Sequence, residues 1–274
     1  MGGSSRVAGR VIVVTGASRG FGLALGSALA KRGARVVLSS RTSTECEAAA
    51  AALREEGHDV TACVCDVRDR SAVQALGEAA IARYGGLDVW INNAGTSAPY
   101  GPVREVPESA FLSATRTLID GVYFGSKTAL SHFAGGDGML VNIVGRGERS
   151  PVALQAAYAS AKAWVRNFTL ALAAEERSRG LAILAFQPGL MDTRLVLEPV
   201  VLPSYEHRMG ALAIVSRLFG AAPELAAEAL VRAIAERRSG YLAAHPWWWM
   251  LVGPLRLLTG ARPARPIRAR VRND

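Results

Sequence analysis

The chain has 274 residues, of which half are hydrophobic, and a formal net charge of +9. This length fits one large α/β domain or two small ones, and this apolar content excludes disorder of the whole chain. The positive excess belongs mainly to residues 256–274, where six arginines accompany a single acid, so it says little about the rest. No apolar run reaches the roughly 20 residues of a membrane-spanning helix, and no secretory signal is visible, so we expect a cytoplasmic protein.

Short apolar runs alternate with longer segments of helical spacing along the chain. The runs predict strands buried on both faces, at Arg10–Thr15, Arg35–Ser39, Val60–Cys65, Leu87–Ile91, Met139–Val144 and Leu181–Gln187. The predicted helices are Gly20–Arg32, Ser43–Glu56, Asp69–Tyr84, one ending near Phe133, Ala153–Arg179 and Pro223–Arg238. This alternation predicts an α/β fold with a single doubly wound parallel sheet, whose ligands bind beyond the carboxyl ends of the strands.

The organisation predicted is one domain over residues 1–245, followed by an extension over 246–274. A small helical cap is expected at about 190–222, after the pattern breaks at Pro188–Gly189. The extension begins with Trp247–Trp249 and ends in an arginine-rich tail, which indicates possible weak contact with a membrane surface. Packing of the tryptophans onto the body or a neighbouring subunit is the favoured alternative. Nucleic-acid binding is not expected, because no recognition module accompanies the tail.

A glycine-rich turn follows the first predicted strand and opens the first helix. Glycine permits a tight turn and close approach of a pyrophosphate, and the helix N-terminus offers unpaired N–H groups to that anion. This placement predicts a dinucleotide site. The residues assigned to it are Gly16, Ser18, Arg19, Gly20, Phe21 and Gly22.

The second predicted strand is followed by Arg41, where an NAD site usually places an acid. Arg41 and Arg19 could both face a 2′-phosphate, so we predict NADP rather than NAD; the alternative is that Arg41 is a solvated loop charge. No metal site is predicted, because Cys63 and Cys65 have no accompanying Cys or His cluster.

The next two strand ends add further cofactor candidates. Asp66 ends the third strand, where its carboxylate could accept a bond from the adenine amine. Asn93, Ala94 and Gly95 follow the fourth strand, where small residues allow close backbone approach to the cofactor.

Tyr158 and Lys162 lie four residues apart in a predicted helix, so both project from one face into one site. A nearby ammonium favours tyrosinate and is expected to lower the phenol's pKa from about 10. The pair therefore predicts a tunable acid/base beside the dinucleotide.

Five motifs together resemble the short-chain dehydrogenase/reductase family over roughly residues 8–240. They are Thr15-Gly-x3-Gly20-x-Gly22, Asp66-Val67, Asn92-Asn93-Ala94-Gly95, Tyr158-x3-Lys162 and Pro188-Gly189. The resemblance implies a Rossmann-type fold, a nicotinamide cofactor, Tyr158 as proton donor or acceptor, and Lys162 as the residue that holds the nicotinamide ribose. It also implies cofactor contacts at Val67, Pro188, Gly189 and Thr193, and a homodimer or homotetramer that is often packed through the two long helices.

Two positions depart from the family pattern. Gly145 stands where the family usually has a serine, thirteen residues before the tyrosine, and Leu118 stands where it has an asparagine. Another donor could replace the serine, namely Arg146, Thr96, Ser97, Ser150 or a substrate hydroxyl. We assign Gly145 and Arg146 to the substrate side of the site.

The favoured interpretation is an NADP(H)-dependent oxidoreductase that interconverts a carbonyl and an alcohol. The apolar composition of the cap predicts a hydrophobic substrate, although the same side chains could instead pack the cap onto the body. Two alternatives stay open because of Gly145 and Leu118. One is a non-redox isomerase, dehydratase or cyclase on the same fold, and the other is a non-catalytic NADP(H)-binding protein.

Overall fold

The computed structural model describes residues 6–133, 135–191, 201, 202, 205 and 222–244. In this part of the chain, seven parallel strands form one sheet in the order β3-β2-β1-β4-β5-β6-β7. The strands are β1 Val11–Thr15, β2 Arg35–Ser40, β3 Val60–Val64, β4 Val89–Asn92, β5 Met139–Ile143, β6 Ala182–Gln187 and β7 Gly240–Ala243.

Helices cover both faces of the sheet. They are α1 Gly20–Ala30, α2 Ser43–Glu55, α3 Arg70–Tyr84, α4 Glu108–Thr115, α5 Gly121–His132, α6 Ala156–Glu175 and α7 Pro223–Ala235. Side chains of α1, α2 and α7 share one apolar core with the sheet, and those of α3, α5 and α6 share another. Strands buried between two such layers must be apolar on both sides, which is why their sequences do not alternate.

The predicted fold class is confirmed, and the six predicted strands are present with ends shifted by at most two residues. The seventh strand, β7, was not predicted, because four partly buried residues at a sheet edge give a weak pattern. The long helix expected to end near Phe133 is divided: α4 and α5 are joined by a π-helical segment, Arg116–Asp120. The helix predicted at Ala153–Arg179 is α6, which begins at Ala156 and ends at Glu175.

Two predicted regions fall largely outside the described residues. Thr193 and most of the cap at 190–222 belong to them, as does the extension at 246–274. Of the cap, Val201 forms a bridge with Tyr100, and the backbone N–H of Leu202 donates to the carbonyl of Tyr100 at 3.1 Å. In the part of the chain that the structure describes, no helix is both long and apolar enough to cross a membrane.

The strand order reverses between β1 and β4, and this reversal decides where a ligand can bind. Strands β2 and β3 follow β1 towards one edge, and β5, β6 and β7 follow β4 towards the other. The crossover helices diverge at this point, so a crevice opens beyond the carboxyl ends of β1 and β4. The glycine turn after β1 therefore lies at the mouth of the crevice.

Candidate active site

The glycine turn leaves no room for side chains. Gly16 has a φ of +64°, and a Cβ there would lie 2.6 Å from the Cα of Ala94. A Cβ on Gly22 would collide with the carbonyl of Gly16 and would lie 2.5 Å from the Nδ2 of Asn93. Only glycine fits at both positions, so the backbone itself forms the wall of the crevice.

The N-terminus of α1 fits a pyrophosphate. Arg19 is the N-cap residue, its side chain makes no capping bond, and the first turn contains no acid. The N–H groups of this turn are therefore not satisfied by a side-chain cap and favour an anion. Phe21 points the other way, because its ring is buried and stacks on Phe186 at 6.2 Å between centroids. Only the backbone of Phe21 is thus placed to meet a cofactor.

Thr15 and Asn93 join the ends of β1 and β4. The hydroxyl of Thr15 accepts bonds from the backbone N–H groups of Asn93 and Ala94 at 3.0 and 3.1 Å. The amide of Asn93 in turn donates to the carbonyls of Thr15 and Gly16 at 2.8 and 3.0 Å. These bonds hold the two walls of the crevice in one geometry, and Gly95 follows directly.

The region expected to receive a 2′-phosphate already contains an acid. Arg19 pairs with Glu45 of α2, with Nη1 at 3.3 Å from Oε2, and the hydroxyl of Ser18 also donates to Glu45 at 3.3 Å. Arg41 is exposed after β2. Glu45 is not among the residues predicted from the sequence, because an acid in the first turn of a helix is common and carries no signal of its own.

Asp66, the predicted adenine contact, forms an ion pair with Arg68. Arg68 donates to both carboxylate oxygens of Asp66, through Nε at 3.0 Å from each, and this pairing lowers the pKa of Asp66. Val67 is buried and packs against Gly121, where a Cβ would lie 2.8 Å from its Cγ2. Asp66 is therefore held as a carboxylate beside the start of α5.

Tyr158 and Lys162 share one face of α6, as predicted, at the carboxyl end of β5. The Nζ of Lys162 lies 5.7 Å from the centre of the Tyr158 ring and donates to the carbonyl of Ile143 at 2.8 Å. Burial lowers the pKa of Lys162 to about 8. Burial also raises the pKa of Tyr158 to about 12, and Glu148 adds to that shift. The expected lowering of the phenol's pKa is therefore wrong for this structure, because desolvation outweighs the opposing charge of Arg146.

The structure places Gly145 beside Tyr158 and Leu118 beside Gly95. A Cβ on Gly145 would lie 2.7 Å from the phenolic oxygen of Tyr158 and 3.4 Å from the Cε of Lys162. Leu118 is fully buried in the π-helical segment, and its Cδ2 would lie 3.7 Å from a Cβ on Gly95. The hydroxyl of Thr96, another possible donor, is directed to the carbonyl of Ser97 at 3.3 Å.

The loop after β5 carries two charged residues that act on Tyr158. Arg146 is exposed, and its positive charge opposes the rise in the pKa of Tyr158. Glu148 acts in the other direction, and its carboxylate accepts from Gln187 at 3.1 Å and from Tyr241 at 2.9 Å. Glu148 is not among the predicted residues, because its partners lie 39 and 93 positions away and no local pattern marks them.

An apolar wall surrounds Tyr158. Its ring packs with three buried alanines and with Phe111, the alanines being Ala98, Ala114 and Ala157. Next to this wall the backbone N–H of Gly101 donates to the carbonyl of Leu154 at 2.8 Å. Leu154 has a φ of +65°, a strained value for a branched side chain. Strain of this kind persists only where surrounding contacts impose it, and here it lies four positions before Tyr158.

Comparison with known proteins places these features in one family. A model described as short chain dehydrogenase matches residues 10–199. A cis-4-hydroxycyclohexanecarboxylate dehydrogenase of Sinomonas cyclohexanicum is 37% identical over 223 residues, or 81% of this chain and 87% of that protein. A 3beta-hydroxysteroid dehydrogenase 1 of Eggerthella lenta is 32% identical over 219 residues, or 79% and 83%. The crystal structure of a 3-ketoacyl-(acyl-carrier-protein) reductase of Brucella melitensis with NADH superposes with a TM-score of 0.75 at 27% identity, covering 86% of this chain and 96% of that one.

Proposed function

Because the chain belongs to the short-chain dehydrogenase/reductase family, we propose that it interconverts a carbonyl and an alcohol on a hydrophobic substrate with NADP(H). One observation carries this proposal: the phenol of Tyr158 and the side chain of Lys162 come together against Gly145, beyond the carboxyl end of β5. The glycine turn after β1 opens the same crevice. An acid/base and a dinucleotide cradle on one sheet edge are what hydride transfer coupled to proton transfer requires.

In this proposal the residues of the chain bind the cofactor and move one proton. The turn from Gly16 to Gly22 and the N-terminus of α1 hold the pyrophosphate, and Lys162 binds the nicotinamide ribose. A bound nicotinamide would supply or accept the hydride. Tyr158, with its pKa raised to about 12, is protonated at neutral pH and donates its proton to the oxygen of the carbonyl during reduction.

The choice of NADP over NAD rests on charge. Arg19 and Arg41 lie at the turn and after β2, and both can pair with a 2′-phosphate. The ion pair between Arg19 and Glu45 must open for this to occur, which makes the preference a modest one. Two related proteins of known structure are described with NAD or NADH. The contact between these arginines and a 2′-phosphate is therefore proposed for this chain only.

The substrate proposed is a hydrophobic ketone or secondary alcohol. Phe111 and the alanines around Tyr158 form an apolar wall, and Leu202 packs against Gly101 beside it. Two relatives are described as acting on a hydroxycyclohexanecarboxylate and a hydroxysteroid, both secondary alcohols on saturated rings. Arg146, whose positive charge opposes the rise in the pKa of Tyr158, is the cation proposed to polarise the carbonyl or to hold an acidic group of the substrate.

A second candidate function is a non-redox reaction on the same fold. It is favoured by Gly145 and Leu118, since no hydroxyl or amide stands at either position. Tyr158 would then act as an acid or base, and bound NADP(H) would be neither oxidised nor reduced. The third possibility, a protein that binds NADP(H) without turnover, gains no support from the retained Tyr158.

One experiment separates these possibilities. The purified chain is mixed with NADPH and a panel of 4-oxocyclohexanecarboxylate, 3-oxosteroids and 3-ketoacyl thioesters, and loss of NADPH absorbance is followed beside product analysis. Oxidation of NADPH in equal amount to alcohol formed, abolished in Tyr158→Phe, supports the redox proposal. Conversion of a substrate without consumption of NADPH supports the non-redox reaction. NADPH binding that Tyr158→Phe leaves intact, with no conversion of any compound, overturns both enzymatic proposals.

We further propose that the chain forms a homodimer or homotetramer through α5 and α6. Trp164 stacks on Phe168 with ring centroids 4.6 Å apart, and Tyr123 approaches Phe168 at 6.3 Å while 42% of Tyr123 is exposed. An aromatic cluster that reaches the surface on two adjacent helices is a common core of a subunit interface.

Cytoplasmic localisation and a role of 246–274 at membranes stay predictions.

A further inference from the structure

Gly101, in the loop after β4, lies next to two other segments of the chain. Its N–H donates to the carbonyl of Leu154, in the loop between β5 and α6, at 2.8 Å. The preceding residue, Tyr100, forms a bridge with Val201 and accepts at its carbonyl from the N–H of Leu202 at 3.1 Å. Residues 100 and 101 therefore join the loop before α6 to the chain beyond β6.

The side chain of Leu202 fills the space that a side chain on Gly101 would need. A Cβ on Gly101 would collide with the Cδ1 of Leu202 and would lie 3.0 Å from its Cγ. Gly101 is buried, and it is not among the glycines with a positive φ. The backbone at this position would accept alanine, so the leucine requires the glycine, rather than the conformation of the chain. We call the contact of Leu202 with Gly101 the Leu202 seat.

The Leu202 seat adjoins the apolar wall around Tyr158. Ala98 is one of the buried alanines of that wall and lies three positions before Gly101. Three residues of extended chain span at most about 11 Å, so the backbone of Gly101 is within this distance of Ala98. Leu154, which accepts the bond from Gly101, lies four positions before Tyr158. Leu202 is therefore on the side of the crevice where the proposed acid/base lies.

The surface offered at the Leu202 seat is largely apolar. The N–H of Gly101, the carbonyl of Tyr100 and the N–H of Leu202 are all used in the bonds between the three segments. Leu154 and Leu202 are only partly buried, so part of each residue stays accessible. A ligand that extends from Tyr158 towards the seat would gain by burying apolar surface there.

We propose that Gly101 and Leu202 determine the size of the substrate. Leu202, seated on Gly101, limits the space beyond the reacting carbonyl, so that a ketone on a single ring fits and a fused-ring ketone is disfavoured. This inference rests on the proposed function, whose hydrophobic ketone it narrows to a compact one. A packed side chain limits the size of a ligand because it cannot be displaced without a cost in free energy.

Binding of ketones to the complex of the chain with NADP⁺ tests the proposal. A ketone cannot be reduced in this complex, so its Kd is measured without turnover. The probes are 4-methylcyclohexanone, a single ring, and an uncharged 3-oxosteroid, which has fused rings. The readout is the ratio of the two Kd values, steroid over single ring, measured by titration calorimetry.

Two variants remove the Leu202 seat from opposite sides. Gly101→Ala displaces the tip of Leu202, and Leu202→Ala removes the side chain itself. In each variant the ratio of Kd values should fall about fivefold or more, because the larger ketone gains room. The double variant should show no further fall beyond Leu202→Ala, because the added methyl group then has space. Gly86→Ala is the matched control, since a Cβ there has no neighbour within 4 Å and Gly86 precedes the amino end of β4.

A ratio that is the same in Leu202→Ala and Gly86→Ala would overturn the proposal. A further fall in the double variant would show that Gly101 acts in some other way than by seating Leu202, and would also overturn it. Failure of both ketones to bind to the unchanged chain and to every variant would overturn it as well.

Amide hydrogen exchange at position 202 reports on the Leu202 seat without any ketone. The N–H of Leu202 is bonded to Tyr100, so Gly101→Ala should speed its exchange about fivefold or more, while Gly86→Ala should leave it unchanged. Equal exchange in Gly101→Ala and in the unchanged chain would show that the glycine does not hold Leu202, and would contradict the proposal.

The two proposals fail separately. Ketone binding with the expected shift of the ratio, but without oxidation of NADPH in the turnover assay, would reject the proposed redox function alone. Oxidation of NADPH by both ketones, with one ratio of Kd values in all variants, would reject the role of Gly101 and Leu202 alone.

Discussion

Gly145 faces the phenolic oxygen of Tyr158 so closely that a Cβ on this glycine would lie 2.7 Å from it. The hydroxyl of Tyr158 therefore occupies space that a side chain at position 145 would need. The absence of a serine at position 145 therefore does more than remove a hydrogen-bond donor, because the observed position of Tyr158 requires a glycine there. Any donor to the substrate oxygen must come from another direction, and the exposed Arg146, next in sequence, is the candidate that we propose.

Two substitutions of Gly145 separate the effect of an added Cβ from the effect of an added hydroxyl. Gly145→Ala adds only the Cβ, so Tyr158 must shift, and kcat/KM for ketone reduction should fall about tenfold or more. Gly145→Ser adds the same Cβ together with a hydroxyl at the substrate oxygen. Because one such donor is worth about 10²- to 10³-fold in rate, the serine variant should exceed the alanine variant by at least tenfold.

Steady-state kinetics of the two variants with the same ketone check this prediction, and NADPH affinity serves as the control. Equal rates in both variants would show that the site obtains no benefit from a hydroxyl at this position. That result would favour the non-redox candidate.

Lys162 should lower the stability of the protein near neutral pH. Its pKa falls from 10.5 to about 8 on burial, so the unfolded chain binds a proton between these values that the folded chain has released. Stability therefore rises with pH through this window, and below pH 8 the cost of burying the ammonium is present in full. Lys162→Met should raise the free energy of unfolding by about 1–2 kcal/mol at pH 7, after allowance for the lost bond to the carbonyl of Ile143.

Urea unfolding at pH 7 and at pH 10.5 measures this effect. The advantage of Lys162→Met should shrink towards zero at the higher pH, while NADPH affinity is reduced at both. An advantage that does not change with pH would mean that the gain comes from packing rather than from the buried charge.

The sequence motifs predict the glycine turn and the Tyr158–Lys162 pair because each motif is local in sequence. A turn of glycines and two residues one helical turn apart carry their geometry with them. Glu148 has no such mark, since its partner Tyr241 is 93 residues away and lies on a strand too short to be recognised. The raised pKa of Tyr158 follows from the desolvation of the folded site, which spacing along a helix does not express.

The ion pair between Arg19 and Glu45 should set the strength of NADP preference. Glu45→Gln releases Arg19 for a 2′-phosphate, so the Kd for NADPH should fall about two- to fivefold while that for NADH stays nearly the same. Glu47→Gln is the matched control, because Glu47 is on the same helix and pairs with Arg54 instead. Arg41→Ala should act in the opposite direction on NADPH alone. Equal effects of Glu45→Gln on both cofactors would argue against a phosphate contact at Arg19.

A buried polar network beneath the site should account for a large part of the local stability. The amide of Asn92 donates to Asn142 at 2.8 Å, and Asn142 donates to the hydroxyl of Thr169 on α6 at 2.9 Å. Asn142→Leu removes two buried bonds, while Asn92 still donates to Val122 and Ser126 and Thr169 still donates to Val165, so it should cost about 2–3 kcal/mol. Thr169→Val removes only the last link and should cost about 1–2 kcal/mol. Chemical denaturation checks both, and a cost below that of Thr169→Val for Asn142→Leu would contradict the shared network.

The aromatic cluster on α5 and α6 predicts where subunits meet. Trp164 stacks on Phe168 and lies two positions after Lys162, so it projects away from the active site. Trp164→Glu places a charge in the proposed interface and should convert the oligomer to monomers at micromolar concentration, as measured by light scattering after size-exclusion chromatography. Val64→Glu is the control, because Val64 is 60% exposed at the β3 edge of the sheet, away from this cluster. Its oligomeric state should match that of the unchanged chain, and dissociation by Val64→Glu but not by Trp164→Glu would place the interface elsewhere.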